Sequence, residues 1–254
     1  MRSVCLAILL VAISISVATA AEIRVISPGV ISNSGLRENA TNFTKATGIN
    51  VIIVPAGMGE IINQVKTATP PADIVMLPMN LMGGLALEKG IQDGTFTPLG
   101  RAELGLFVKP DATHPDISTV EKFAAALRTA SVVMYTNPQS GSMQAGIADR
   151  LLQRPEFAGV KSMKIKGDAE PALKRGDGDA RAMGLGLVHD DPRDPKRANR
   201  YLVGPLPAEL DAYMDMATAI SSRSTNTKDA AAFIRFITQP EATPVWKSKG
   251  ILRY

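Results

Sequence analysis

Apolar residues recur along this chain with two different periods, and the two alternate in order. Ile23-Arg24-Val25-Ile26-Ser27 alternates at period two and predicts a strand. A polar loop from Pro28 to Ser34 follows, then a run from Gly35 to Thr47 with helical spacing that Gly48 terminates. Ile49 to Val54 predicts a second strand, Pro55 to Gly59 a turn, Glu60 to Lys66 a helix and Ala72 to Leu77 a third strand. An order of β-α-β-α-β predicts parallel strands covered by helices on both faces, with ligands at the carboxyl ends of the strands.

The same grammar returns in the second half. Arg101 to Lys109 predicts a strand, and the loop Pro110 to Asp116 leads to a helix from Thr119 to Ala130 capped by Ser118 and Thr119. Ser131 to Tyr135 is a strand, the segment from Thr136 to Ser142 a polar turn, and Met143 to Gln153 a helix. Lys164 to Lys166, Ala182 to His189, Tyr201 to Val203 and Tyr213 to Ile220 are further strand candidates, with Gly204-Pro205-Leu206-Pro207 as a turn. Glu170 to Lys174, Lys228 to Ile237 and Thr243 to Lys249 read as helices, and Asp190 to Arg197 as a charged surface loop broken by prolines.

Strand-to-helix loops are where chemistry is expected. Ser27 to Ser34 carries Ser32, Asn33 and Ser34; Pro55 to Gly59 carries Gly57, Met58 and Gly59; Leu77 to Asn80 is a third. In the second half the equivalent turn carries Ser140, Gly141 and Ser142. Hydroxyl, amide and glycine residues ahead of a helix N-terminus suit an anion, because free backbone N–H groups and the helix dipole point there. Ordinary helix capping and turn formation use the same residues, so both readings stand.

Composition narrows the partners. The chain has 254 residues, 45% of them hydrophobic, enough for one large or two small domains. Its 28 Lys and Arg against 24 Asp and Glu give +4, a mild and scattered excess that suits small anions and not nucleic acid. Aromatic residues are 5% of the chain, which leaves few stacking platforms for single strands. Residues 1–20 have the form of a secretory signal peptide: Arg2, an apolar stretch from Val4 to Val17, then Ala18-Thr19-Ala20. Cleavage there removes Cys5, the one cysteine, so an exported, disulfide-free periplasmic protein is expected.

Several chemistries are excluded by residue type. His114 and His189 are the two histidines and no HExxH is present, so neither a metal site nor a cofactor is expected. The nucleophile elbow, the P-loop and a helix-opening GxGxxG are absent, and Gly176-Asp177-Gly178-Asp179 lacks the spacing of a calcium loop. What remains is anion recognition by hydroxyls, amides and arginines, with His114, His189 and scattered carboxylates such as Asp73 as acid–base candidates.

Over nearly the whole mature chain, an ordered set of segments resembles a known family. They are the loop Ser27 to Gly35, Phe43 to Val51, Pro70-Pro71-Ala72-Asp73-Ile74-Val75, Pro115 to Thr119, Ser140-Gly141-Ser142, Gly204 to Leu210 and Ala231 to Ile237. The sequence resembles the extracytoplasmic solute-binding proteins of ABC importers, in the branch of the molybdate-binding proteins, and within it a divergent subgroup that includes a periplasmic aconitate isomerase. The resemblance implies an α/β, two-lobed type 2 periplasmic-binding fold with two crossover strands as hinge, near Arg101–Phe107 and Met214–Ile220. Residues 21–102 and 217–254 would form the first lobe and 103–216 the second.

Carried over by position, the ligand would meet Ser32, Asn33, Ser34, Gly57, Met58 and Gly59 from one lobe and Ser140, Gly141 and Ser142 from the other. Arg101, at the start of a crossover strand, is the candidate charge partner, its fork matched to a carboxylate or planar oxyanion. Val188-His189-Asp190-Asp191 stands where molybdate binders place a tyrosine. Two functions follow. One is a monomeric periplasmic receptor that passes a small anionic ligand to an ABC permease; the other is an isomerase shifting an allylic proton of a small polycarboxylate, with His114 or His189 as base. A colonisation-associated relative without a transport partner is the third reading.

Overall fold

The computed structural model describes residues 21–109, 112–140, 142–167, 169–173, 179–185 and 201–254. The signal-like residues 1–20, Gly141, His189 and the charged loop 190–197 lie outside the described residues.

The first half forms as its periodicity requires. Strands β1 (Glu22–Ser27), β2 (Asn50–Pro55) and β3 (Ile74–Pro78) are parallel, with β1 between the other two. Every residue of β3 is buried because helices cover both faces: Ile74 and Met76 face one apolar cluster, Val75 and Leu77 the other. A short helix α1 (Gly29–Ser32) precedes α2 (Leu36–Thr47), which Gly48 ends in the left-handed conformation at φ 77°, a backbone that favours glycine. Helix α3 (Met58–Thr67) follows β2.

Four local expectations are corrected. The segment from Pro28 to Ser34, expected as a loop, holds helix α1 over Gly29–Ser32. Met58 and Gly59 belong to the first turn of α3 and not to the preceding turn. The expected loop from Leu77 to Asn80 is absent: β3 runs to Pro78, and α4 (Met79–Leu87) starts at the next residue. Its sequence, MNLMGGLAL, is apolar nearly all round and carries two glycines, so it has no polar face to mark a helical period. Gly204 and Pro205 lie in strand and not in a turn.

Strand β4 (Thr97–Val108) organises the molecule. It leads through helix α5 (Val120–Thr129), whose first turn is capped by the Thr119 hydroxyl accepting from the Lys122 N–H at 3.3 Å, to β5 (Val132–Thr136). Helix α6 (Met143–Leu152), β6 (Ser162–Ile165), α7 (Ala169–Leu173) and β7 (Ala180–Leu185) follow. The chain returns through β8 (Leu202–Pro205) and β9 (Tyr213–Ile220), then closes with α8 (Thr227–Thr238), α9 (Thr243–Ser248) and β10 (Ile251–Leu252).

The described strands join in the order β2-β1-β3-β9-β4-β7-β5-β6, with β8 and β10 also paired to β4. The amino-terminal part of β4, to Glu103, pairs with β9 and β10; its carboxyl-terminal part, from Leu104, pairs with β7 and β8. β4 is therefore shared by two mixed sheets. Gly100 marks the crowding there: its φ is 154°, and a Cβ would stand 2.5 Å from the Leu252 carbonyl of β10.

Aromatic packing fixes the outer helices. The Phe43 ring of α2 meets Phe233 and Phe236 of α8 edge-on at 5.0 and 5.4 Å, and the Trp246 indole of α9 donates to the Ile237 carbonyl at 2.8 Å.

Candidate functional site

Register places the site. The carboxyl end of β3, at Pro78, is level with Met216 of β9, and Met216 is level with Gly100 of β4. β1, β2 and β3 therefore point along β4 toward its later residues. β7 runs the opposite way and ends at Leu185, level with Leu104, and β5 is parallel to it. The carboxyl ends of both sets of parallel strands thus point toward one another across the interval Gly100–Leu104, about 13 Å of strand.

Both edges carry helix starts that no side chain caps among the described residues. Helix α3 begins after Gly57 with no side-chain cap, and a Cβ on Gly57 or Gly59 would meet nothing within 4 Å, so this start is open. Across the interval, α6 begins after Ser142, also with no side-chain cap and with no acidic residue in its first turn. The Ser140 hydroxyl accepts from the Ser142 N–H at 3.3 Å and Ser142 is half-buried. The position of α6 is fixed twice: the Gln144 Oε1 accepts from the Leu185 N–H at 3.2 Å, and the buried Tyr135 hydroxyl donates to Asp149 at 2.7 Å. Asp149 is held below the ordinary carboxylate range by Lys164 first and Tyr135 second.

The serine loop after β1 behaves differently. The Ser32 hydroxyl donates to the Pro28 carbonyl at 3.3 Å and the Ser34 hydroxyl to the Ile31 carbonyl at 2.8 Å, and both residues are buried. These protons are turned to the backbone, the turn chemistry of hydroxyl residues. Asn33 is exposed.

Arg101 lies inside the interval. Its Nε donates to Asp215 Oδ1 at 2.8 Å and its Nη2 to Oδ2 at 3.3 Å, while its guanidinium carbon stands 3.4 Å from the centre of the Tyr213 ring. The Tyr254 hydroxyl donates to the same Asp215 Oδ1 at 2.6 Å. Ala102 and Met214, the alternate residues, face the core, so the accessible face of the interval carries Arg101, Glu103, Tyr213 and Asp215. Asp215, Tyr213 and Tyr254 were not among the candidates from sequence. The alternation Tyr213-Met214-Asp215-Met216 sets the two polar residues on one strand face; their meeting with Arg101 is a matter of register alone.

The acid–base candidates separate. Asp73 precedes β3 at its amino end, the far edge from the interval, where it accepts from the Arg24 N–H, the Ser224 hydroxyl and the Asn226 amide at 2.9, 2.7 and 3.2 Å. His114 is exposed in the connection from β4 to α5. His189 and Gly141 lie outside the described residues.

Residues 23–252 match the model of a single family, the bacterial extracellular solute-binding proteins. The chain belongs to that family. As a solute-binding protein it is similar over 92% of its length to 99% of the chain assigned as the substrate-binding domain of a molybdenum ABC transporter from Clostridium difficile, at 13% identity and a TM-score of 0.74. The periplasmic molybdate-binding protein of Azotobacter vinelandii covers 91% of the chain with 99% of its own, at 16% identity and a TM-score of 0.64. These likenesses give the fold, that of type 2 periplasmic binding proteins. A Pseudomonas aconitate isomerase is 26% identical over 238 residues, 87% of this solute-binding protein and 86% of the isomerase.

Proposed function

We propose that this solute-binding protein, exported by residues 1–20 to the periplasm, captures a small carboxylate or oxyanion between two lobes, 21–102 with 217–254 and 103–216, and delivers it as a monomer to an ABC permease. The observation that carries the reading is the pair of open, uncapped helix starts at Gly57–Gly59 and Ser142, on strand edges that point at one another. Backbone N–H groups, the Ser140 and Ser142 hydroxyls and the exposed Asn33 amide supply neutral donors, and lobe closure around β4 and β9 excludes water from the bound anion. Arg101 is the cation of the floor, and Asp215 holds its fork and matches its charge.

The Pseudomonas relative favours a second reading, an isomerase of a small polycarboxylate on the same site. In it a base takes a proton from a methylene carbon, the double bond migrates, and a proton returns to the other end of the allylic system, with no net change in composition. His114 and His189 are the candidates from sequence; the floor adds Glu103, half-buried beside Arg101 on the same strand face.

Isothermal titration of the mature chain with molybdate, phosphate, citrate and cis- and trans-aconitate tests binding. Saturable binding of one anion class, weakened by Ser142→Pro, supports the receptor; an inert response to the whole panel overturns it. Proton NMR with aconitate in deuterated buffer tests the second reading: conversion with solvent exchange, lost in Glu103→Gln or a histidine variant, establishes the enzyme.

A further inference from the structure

The two outer edges of the strand order are built in opposite ways. At one edge, β6 lies within Lys161-Ser162-Met163-Lys164-Ile165-Lys166, and such lysines are an ordinary guard against pairing with another chain. At the other edge, β2 reads Asn50-Val51-Ile52-Ile53-Val54-Pro55, with no charged residue in the strand. The Asn50 and Ala56 N–H groups donate inward to Ala21 and Ser27. Strand alternation then turns the backbone groups of Val51 and Ile53 outward, without a strand partner among the described residues.

Val51 and Ile53 also line a groove of about 390 Å³ between this edge and α2. Its helical wall carries Arg37, Thr41, Thr44 and Lys45, and neither Arg37 nor Lys45 makes an ion pair among the described residues. Arg37 and Lys45 are eight helical residues apart, about 12 Å at 1.5 Å per residue. Residues four apart on one face of an extended strand span about 13 Å.

We propose that the edge of β2 receives an extended acidic segment of a partner protein as an added strand, with carboxylates four residues apart reaching Arg37 and Lys45. The outward groups of Val51 and Ile53 supply the strand hydrogen bonds, and the two cations select the charge. A second copy of this chain is disfavoured there, because two-fold pairing of β2 with itself would bring the Arg37 and Lys45 pairs together.

The test is fluorescence anisotropy of the mature chain with a labelled, end-blocked nine-residue peptide of alternating threonine and valine, with glutamate at its third and seventh positions. Saturable binding is expected, weakened about tenfold or more by Arg37→Glu with Lys45→Glu, and in the same direction by the gentler Arg37→Gln with Lys45→Gln. N-methylation of the peptide amides that would face β2 should abolish binding, and moving the second glutamate to the fifth position should weaken it. Four results overturn the proposal: no saturable binding, equal binding by the charge-reversed protein, indifference to N-methylation, or displacement of the peptide by citrate alone at equal carboxylate concentration. A concentration-dependent dimer strengthened in the neutralised Arg37→Gln with Lys45→Gln protein would give the edge to a second copy instead.

Discussion

Arg101 and Asp215 are register partners on β4 and β9, and their side chains close a two-pronged pair at 2.8 and 3.3 Å on the accessible face between the two sheets. Burial alone would raise the Asp215 carboxyl, but hydrogen bonds from Arg101 and Tyr254 outweigh it and hold the group below the ordinary carboxylate range. A carboxyl depressed in the folded state stabilises above its unfolded value, and the gain is lost as pH falls through the folded one. About a third of each side chain is exposed, which limits the pair to about 1 kcal/mol. Asp215→Asn should therefore lower stability by about that amount at neutral pH and by nothing in strong acid, as read from denaturant titrations at both. An equal loss at both pH values would show that the carboxylate charge is not what matters.

The same pair decides how Arg101 bears on ligand. If its fork reaches the anion, Asp215→Asn frees it and binding tightens, while Arg101→Ala weakens binding by about 2–5 kcal/mol. If the fork serves only to tie β4 to β9, both variants change affinity in the same direction. Titration calorimetry of the two variants with the anion bound by the wild type separates the cases.

Asp73 was a candidate base by residue type, and its position assigns it another task. It is 3% exposed and accepts three hydrogen bonds that join β1 and the segment after β9 to the start of β3. Asp73→Ala should destabilise the fold by about 2–4 kcal/mol through the donors it leaves unpaired. Asp73→Asn, which keeps acceptor oxygen, should cost less, with ligand affinity unchanged in both once the folded fraction is accounted for. A loss of affinity at full folding would return Asp73 to the site.

How far the sequence reaches is visible in these residues. The parallel strands were legible because burial on both faces leaves apolar runs such as Ile74-Val75-Met76-Leu77, and the helices between them because α2, α3, α5 and α8 have one apolar stripe. α4 was not, since a helix without a polar face has no period to detect. Arg101 was visible as a charge on a strand; its partner stands 114 residues away, and local sequence carries no record of that register. Ser34 looked like an anion donor, and only the fold shows its proton bonded to the carbonyl three residues back. Ser142 has the same composition around it and stays uncapped, so residue type alone does not separate the two.

Thr218 on β9 is fully buried, and its hydroxyl has no hydrogen-bond partner among the described residues. An unpaired buried hydroxyl carries a desolvation cost of about 1–3 kcal/mol, whereas a methyl of the same shape carries none. Thr218→Val keeps the β-branched outline that β9 packs, so stability should rise by about 1 kcal/mol in chemical denaturation. A fall of that size would mean the hydroxyl is paired in solution.

Gly35 and Trp246 give the sharpest packing test. Gly35 precedes α2 with φ −67°, a conformation open to any residue, so only space excludes a side chain there. A Cβ would stand 2.9 Å from Trp246 Cε3 and 3.3 Å from the Trp246 Cα, so the helix α9 backbone blocks escape as well as the ring. Trp246 is fully buried and its indole is held by the Ile237 carbonyl, which leaves it no free rotation. Gly35→Ala should therefore destabilise by about 1–3 kcal/mol, the usual penalty of overpacking. Trp246 is the one tryptophan in the chain, so its fluorescence reports the site directly. A shift in native emission toward that of a solvent-exposed indole, with the lower denaturation midpoint, is expected; an unchanged spectrum at wild-type stability would mean that α2 and α9 separate freely enough to admit the methyl group.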